Sequence, residues 1–472
     1  MGGIAAIAGS AAFTGTFKGE VITPEVPEYE DARLIWNRDF DRRPRVIVRP
    51  VDTDDVVAAV RFARDNDLLV AVRSGGHSYP GHSTCDDGMV IDLGRMNRIR
   101  LDPETGIVRA QAGVLLRDVD SATAVHGLVL PAGIVSHTGL AGLALGGGIG
   151  YLTRSFGLTC DQFVRLRVVT AAGDVVTASA TENEDLFWGL KGGGGNFGIV
   201  TEFECRTHVL GNVQGGQLYF PMSQAVDVIL GLGEIMEHAP REMCVSHGLA
   251  VNPAFTPAAD ESEWLLAVNV VYRGEPGDEP LREVTGFAKP VHNSIGPANF
   301  LEAQQRFDNA SGHGTGWYMK SGHTRELSSS LVESFVQHSL DHLEIASPNV
   351  LQEVFSLHSI GGAAGDVAED DTAYSGRAAQ WHCSIEVGFT KPQERERVVG
   401  WTRRAWETTR QHLDMTTSYV NMMFQDGSGS LADVYGDAKL QRLRQVKTAW
   451  DPQNFFRLNS NIKPLGGDQL DG

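Results

Sequence analysis

One imidazole stands in a setting built for close contact with a ligand. In Ala71-Val72-Arg73-Ser74-Gly75-Gly76-His77-Ser78-Tyr79-Pro80-Gly81 an apolar strand, Leu68 to Val72, runs into two adjacent glycines, then a histidine, a serine and a tyrosine. Consecutive glycines turn backbone amides toward one point and let a ligand come near, as in main-chain anion nests. Arg73 and Ser74 stand where they could help to hold a phosphate, and Ser78 and Gly81 continue the same loop. A histidine inside such a turn can touch what the loop holds. The plain alternative is a strand-to-loop turn with an incidental histidine.

Two more glycine clusters follow. Pro131-Ala132-Gly133 leads to Gly139-Leu140-Ala141-Gly142-Leu143-Ala144-Leu145-Gly146-Gly147-Gly148-Ile149-Gly150, and Gly192-Gly193-Gly194-Gly195-Asn196-Phe197-Gly198-Ile199-Val200 comes later. Gly193, Gly195 and Gly198 fit the Gly-x-Gly-x-x-Gly dinucleotide pattern, which needs a strand before it and a helix after it. Here the order is reversed: Glu182 to Leu190 reads as a helix and Ile199 to Phe203 as a strand, so a Rossmann site is not expected.

The glycine-histidine loop resembles the covalent-flavin loop of the berberine-bridge-enzyme-like branch of the vanillyl-alcohol oxidase superfamily. The likeness continues through Arg154-Ser155-Phe156-Gly157-Leu158, Asp185-Leu186-Phe187-Trp188 and Arg457-Leu458-Asn459-Ser460-Asn461-Ile462-Lys463-Pro464, in the order of that family. It implies an FAD bound by Arg73, Ser74, Gly75, Gly76, His77, Ser78, Gly81, Thr138, Gly139, Gly142, Gly147, Gly148, Gly150, Asn196, Gly198, Val200, Asn459 and Asn461, with His77 bonded to its 8α-methyl carbon. Many relatives attach FAD a second time, through a cysteine two residues after Pro-Ala-Gly. Val135 stands there and cannot form a thioether, while Cys160 reads as a plain buried cysteine, so a single link is expected. The residue before Gly139 controls oxygen access in relatives; Thr138, isosteric with valine, implies oxidase behaviour.

The substrate residues depart further from the family. Alternation along Gln352-Glu353-Val354-Phe355-Ser356-Leu357-His358 puts Gln352, Val354, Ser356 and His358 on one face of a strand. By resemblance His358 lines the active site, where it could act as a base or be only a hydrogen-bonded core histidine. Gln352 and Tyr151 join it as catalytic candidates, with Tyr318, Lys320 and His382 secondary. Relatives often carry a basic tyrosine in Tyr-x-Asn-Tyr. In Tyr419-Val420-Asn421-Met422 that position is a methionine, which cannot take a proton, and the pocket gains a pliable apolar lining. The expected activity is an FAD-linked oxidase that removes hydride from an alcohol, amine or activated carbon of a bulky secondary metabolite, with O₂ as acceptor. A flavin monooxygenase and a redox-silent flavin binder are the rivals.

The elements that must position these groups read as an α+β chain. Asp52-Thr53-Asp54-Asp55 caps an amphipathic helix after Pro50, and Leu68 to Val72, Met89 to Leu93 and Ile107 to Ala112 are short strands. Segments Ser246 to Val251, Trp264 to Val271, Val350 to His358 and Ala379 to Val387 alternate as an antiparallel sheet does, and helical patterns near 325–343 and 393–412 would cover it. The resemblance divides the chain into a PCMH-type FAD-binding domain of two α/β subdomains at 1–208, an inserted substrate domain at 209–437, and a return of 438–472 to the first.

Composition narrows the partners. Of 472 residues 42% are hydrophobic and 21% charged, the balance of a water-soluble globular chain, and the net charge of −19 would repel nucleic acid and anionic membrane. No run approaches the ~18 apolar residues of a membrane span. Residues 1–16 lack a basic stretch and a leucine-rich core and read as a loose terminal segment. Five scattered cysteines give no metal spacing and suit a reducing cytoplasm. The expected partners are a small molecule and O₂, without metal, in a monomer or homodimer.

Overall fold

Short apolar runs and one capped helix build the first layer. Asp52 accepts a hydrogen bond from the Asp55 backbone at 3.0 Å, and helix Thr53–Asp65 buries Val56, Ala59, Val60 and Ala63 along one stripe, as a helix lying on a sheet must. In this computed structural model, which describes residues 17–250, 265–309, 311–341, 345, 347–351, 355–424, 427 and 429–467, the helix joins strand Val46–Arg49 to strand Val70–Arg73. Those strands do not pair with each other. Both run parallel to Met89–Asp92 between them, and Glu20–Ile22 adds an antiparallel edge.

A second sheet is antiparallel throughout, in the order Ile99–Asp102, Ile107–Gln111, Ile199–Arg206, Phe163–Val169, Val175–Ser179. Helix Thr53–Asp65 touches strands of both sheets, and one apolar core joins them, with Val60, Met89, Ile91, Leu166 and Phe203 fully enclosed. Helix Glu184–Leu190 precedes the third glycine cluster and strand Ile199–Arg206 follows it. This is the reversed order that argued against a Rossmann site.

The largest sheet is antiparallel, in the order His292–Asn293, Val213–Pro221, Leu265–Arg273, Met243–Ala250, Phe355–Ser359, Trp381–Phe389, Gly316–Thr324, with short strands Gly296–Pro297 and Val350–Leu351 at its margins. Alternation sorts its two faces. Cys383, Ile385 and Val387 pack with Leu331, Phe335, Val398 and Ala405 of helices Ser329–Asp341 and Arg395–Thr409. Residues 382, 384 and 386 of the same strand therefore point the other way. The strand expected over Val350 to His358 is two pieces, and Gln352, Glu353 and Val354 lie outside the described residues.

The last helix, Leu431–Trp450, has Ser430 and Asp433 capping each other and a break at Gly436, whose φ is +70°. It packs against Glu184–Leu190. Lys447 and Asp451, both fully buried, pair at 2.7 Å. The ammonium also donates to the carbonyls of Asn196 at 2.8 Å and Phe456 at 2.9 Å, so the buried charge is satisfied on every side. The chain beyond it returns along the third glycine cluster.

Candidate functional site

A cavity of about 340 Å³ runs between the two smaller sheets and out to the inner face of the large one. Its inner end is glycine-walled. Gly75 and Gly139 lie back to back, and a Cβ added to Gly75 would fall 2.4 Å from the Gly139 nitrogen. Gly76, at φ +70°, takes a conformation that other residues reach only with strain. Ser74 is held by its hydroxyl, which donates to the Ala112 carbonyl at 2.6 Å. His77 follows, its ring stacked on the Trp36 indole at 4.1 Å. Burial, then the neighbouring His137 and His313, pull its pKa down to about 3. Its Nε2 is buried without a hydrogen-bond partner.

The outer end faces the large sheet. Register places His358 opposite His382 and His382 opposite His323, with Ser356, Ser384 and Ser321 in the next row. Directly opposed residues share a face, and Ser356, His358, His382, Ser384 and Glu386 line the cavity. His358 Nε2 sits 3.2 Å from the Gly150 carbonyl, and burial lowers its pKa to about 4. His382 Nε2 meets the Met422 sulfur at 3.3 Å, and its Nδ1 is buried and unpartnered. Burial, then His323 and His358, hold His382 well below the usual imidazole range.

Glu386 is the one carboxylic acid on a cavity wall that carries no lysine or arginine among the described residues. It accepts from Ser384 Oγ at 2.8 Å and from Tyr79 Oη at 3.3 Å. Burial raises its pKa, which those two hydrogen bonds partly offset. Sequence reasoning missed both Glu386 and Tyr79. A signal existed for each: Tyr79 is two residues past His77, and Glu386 continues the alternation His382, Ser384 along a strand that had been expected.

A strip from the end of the chain closes the side. Tyr419 Oη accepts from the Gly148 amide at 3.0 Å and from Asn421 Nδ2 at 2.8 Å, and Asn421 also donates to the Leu143 carbonyl at 3.0 Å. Asn196 spends its amide group on the protein. Its Nδ2 donates to Gly193 and Ser460 carbonyls at 2.8 and 3.1 Å, and its Oδ1 accepts from Ile462 N at 2.9 Å. It positions the glycines rather than offering free groups. Asn459 lies on the wall and donates to the Phe456 carbonyl at 3.0 Å.

Ser74, Gly75, Gly76, His77, Ser78, Thr138, Gly139, Gly142, Asn196, Gly198, Val200, Asn459 and His358 thus meet at one cavity. Several other candidates do not reach it. Arg73, expected to help with a phosphate, is buried and donates to the Ser83 and Arg33 carbonyls at 3.1 and 3.3 Å, because its strand aims it under the sheet. Gly81 packs on Phe40, Gly147 on Tyr374 and Gly148 on Thr159. Gly150 lies against the Ala132 carbonyl, where a Cβ would intrude to 1.7 Å. These four are glycines for packing. Asn461 also lies off the wall. Tyr151 sits behind His358, ring centroids 6.2 Å apart, and does not line the cavity. Tyr318 and Lys320 lie off the wall too, with Tyr318 Oη accepting from Arg403 at 2.9 Å. Gln352 is outside the described residues.

The donor set fits a dinucleotide flavin. Gly142 and Gly195 line the cavity, and a Cβ on either would meet no atom within 4 Å. Their bareness serves something that enters the cavity, not packing. A phosphate there would be met by main-chain amides, since no cationic side chain lies on the wall. Cys160 is fully buried, its Sγ 3.7 Å from Asp161 Oδ1, and off the wall, whereas Val135 is on it. Among the described residues no three His, Cys, Asp or Glu could hold a metal ion, and no helix is long and apolar enough to cross a membrane.

Comparison with known proteins agrees with this geometry. Residues 44–179 match the FAD binding domain family, and residues 418–463 match the berberine and berberine-like family. The FAD-linked oxidoreductase YgaK of Bacillus subtilis (strain 168) is 32% identical over 463 residues, covering 95% of this chain and 97% of its own. The (R)-6-hydroxynicotine oxidase of Paenarthrobacter nicotinovorans is 29% identical over 464 residues, covering 96% and 98%. Among solved structures, the glucooligosaccharide oxidase of Acremonium strictum, described with a 6-S-cysteinyl, 8α-N1-histidyl FAD, superposes with a TM-score of 0.84 at 23% identity over 96% of this chain and 98% of its own.

Proposed function

Because the chain belongs to the FAD-linked oxidoreductases that end in a berberine-like segment, we propose that it is an oxidase acting on a C–H bond beside oxygen or nitrogen in a bulky small molecule, with FAD tethered once, through His77, and O₂ as the final acceptor. FAD, when bound, supplies the acceptor for the hydride. The observation that carries the reading is the cavity itself. It joins the bare glycines and His77 at one end to a polar wall of His358, His382, Ser384 and Glu386 at the other.

The roles of that wall follow from its chemistry. Burial keeps the His358 and His382 imidazoles uncharged near neutrality, so each can accept a proton as a substrate hydroxyl or amine loses hydride. His358 is oriented through Nε2, a donor to the Gly150 carbonyl, which leaves Nδ1 as the acceptor. His382 stands against Met422, where relatives place a tyrosine base, and it supplies a basic atom that the thioether lacks. Glu386 offers a single carboxyl to a hydroxyl or an amine, and a wall that carries no lysine or arginine among the described residues disfavours carboxylate substrates. Thr138, on the wall beside Gly139, leaves room for O₂. Val135 in place of a cysteine, and Cys160 sealed in the core, support one tether in place of two.

The test has two parts. Acid-precipitated protein should stay yellow, with flavin on the peptide that contains His77; flavin wholly in the supernatant would overturn the tether. Alcohols, phenols and amines are then added without air, and those that bleach the flavin band are followed on readmission of air. Recovery of the band with peroxide release is expected. Oxygen from O₂ incorporated into the product would make the chain a monooxygenase instead, and a band that air does not restore would remove O₂ as acceptor.

A further inference from the structure

A second cavity, of about 490 Å³, borders the first, and the proposed reaction makes no use of it. Pro80, His82 and Leu458 line both. Helix Arg395–Thr409 supplies one side. Arg395, Val399 and Arg403 recur every four residues, with Glu396 and Gly400 beside them, so one flank of the helix faces the space. Phe40, Phe424 and Tyr318 form the floor. The Phe424 ring lies 6.4 Å from Phe40 and 4.8 Å from Tyr318, centroid to centroid. The size is that of a small-molecule site.

The charge of this wall runs against that of the chain, whose net charge is −19. The first cavity carries no lysine or arginine among the described residues, yet Arg42, Arg395 and Arg403 line the second with one carboxylate, Glu396. Arg395 is tied to Asp39 at 2.6 Å, and Arg403 donates to Tyr318 Oη at 2.9 Å. Arg42 is half-buried, its guanidinium carbon 5.0 Å from the Phe40 centroid. Its Nη1 donates to the carbonyls of Gly81 and Thr84 at 2.9 and 3.0 Å, which fixes the plane of the group and leaves Nε and Nη2 to a ligand. His82 stands beside it. Burial, then the Arg42 charge, lower the His82 pKa to about 4, so the ring is neutral, and its Nε2 is buried without a hydrogen-bond partner. A buried nitrogen left unmet costs stability, and a neutral N–H beside a guanidinium is a donor pair for one carboxylate.

We propose that the second cavity binds a small aromatic acid, its ring on Phe40, Tyr318 and Phe424 and its carboxylate shared by Arg42 and His82, at a site distinct from the one where oxidation takes place. The two halves of such a ligand answer the two halves of the wall. The three rings offer apolar area and the offset or edge-on contacts that aromatic pairs prefer. Arg42 and His82 offer donors to an anion, and such bonds strengthen where water is partly excluded. Arg395 and Arg403, both exposed at the rim, draw an anion toward a chain that is otherwise acidic. A neutral aromatic would find the floor and leave Arg42 and His82 unanswered. The site goes beyond the oxidase reading and does not depend on it. A chain that binds the acid here and oxidises nothing would keep the site and lose the reaction.

The experiment titrates 2-naphthoate, and separately its uncharged counterpart 2-naphthamide, into the FAD-loaded full-length protein by calorimetry. The parent should bind the acid to saturation and at least ~10-fold more tightly than the amide. Arg42→Gln keeps a donor for the Gly81 carbonyl and removes the charge. It should weaken the acid ~10- to 100-fold and leave the amide within ~2-fold. Gly400→Phe fills the space instead, since a Cβ there meets only the Arg404 guanidinium, at 3.4 Å. It should abolish binding of both compounds while the flavin content stays parental. Should Arg42→Gln fail to hold its flavin, the preference of the parent and the result with Gly400→Phe decide by themselves. An acid that the parent binds no better than the amide, or does not bind to saturation, would overturn the site. So would an acid that binds Gly400→Phe as tightly as the parent, because it would then lie in another cavity.

Discussion

His358 and Glu386 share one wall but answer to different tests. His358 is neutral through the physiological range and has one nitrogen committed to the Gly150 carbonyl. His358→Asn preserves a donor there and removes the basic nitrogen. Flavin reduction in stopped flow should slow by ~10²-fold with little change in Tm; an unaltered rate with a large loss of stability would make it a core residue only. Glu386 is a carboxyl whose proton affinity burial has raised. An amine substrate would draw it into a charge-assisted hydrogen bond, a gain of about 1.5–3 kcal/mol, so Glu386→Gln should weaken amine binding by ~10- to 100-fold. A neutral alcohol of the same shape should feel the change far less. Equal losses for both would mean that Glu386 reads shape and not charge.

At the scale of elements, the stretch from Gly133 to Thr138 is gripped from two sides. The amide of Gln304 donates to the Gly133 carbonyl, and Asp308 accepts from the Ser136 backbone at 2.8 Å. From below, Leu116 N and Arg117 N donate to the carbonyls of Thr138 and Ser136 at 3.0 and 2.8 Å. A loop so held cannot step aside for a larger side chain. In Thr138→Leu, reoxidation by O₂ should fall ~10- to 100-fold, a barrier of about 1.4–2.8 kcal/mol, while reduction by substrate persists. Parental reoxidation would send oxygen by another route. Elements of this kind were largely legible in the sequence, because periodicity and turn residues are local: the Asp52 cap, the strand after it and the reversed order around Gly193 all stand where they were read. What was not legible depends on distant chain. Nothing near Arg73 says that its guanidinium will find the Ser83 and Arg33 carbonyls, or near Gly150 that the Ala132 carbonyl fills its missing side chain. His137 meets His313 across 176 residues of sequence, and local pattern carries no trace of such a meeting.

Across the whole molecule, acid–base chemistry is not confined to the cavity. Asp120, on helix Leu116–Ala124 where it packs against helix Phe300–Gln305, is buried. Burial raises its pKa to about 8, offset only in part by Gln304. The folded chain therefore keeps a proton there that the unfolded chain releases near pH ~4. Between those values the folded state binds more protons, so stability falls as pH rises, by about 1.4 kcal/mol per unit. Asp120→Asn cannot titrate, and its stability relative to the parent should climb steadily from pH 5 to 8 in urea denaturation. Parallel curves for the two proteins would show that Asp120 is charged or solvated in the fold.

The clamp that Asn196 makes on Ser460 and Ile462, with Lys447 beneath it, also has a consequence in time. The glycine cluster that it holds is synthesised more than 250 residues before its partners. Phe456, Leu458, Asn459 and Ser460 form part of the cavity wall, so no nascent chain has a finished wall until those residues have emerged. Cofactor loading must wait for those residues, and a chain cut short before Phe456 would keep every strand of the sheets described here and an open-sided cavity.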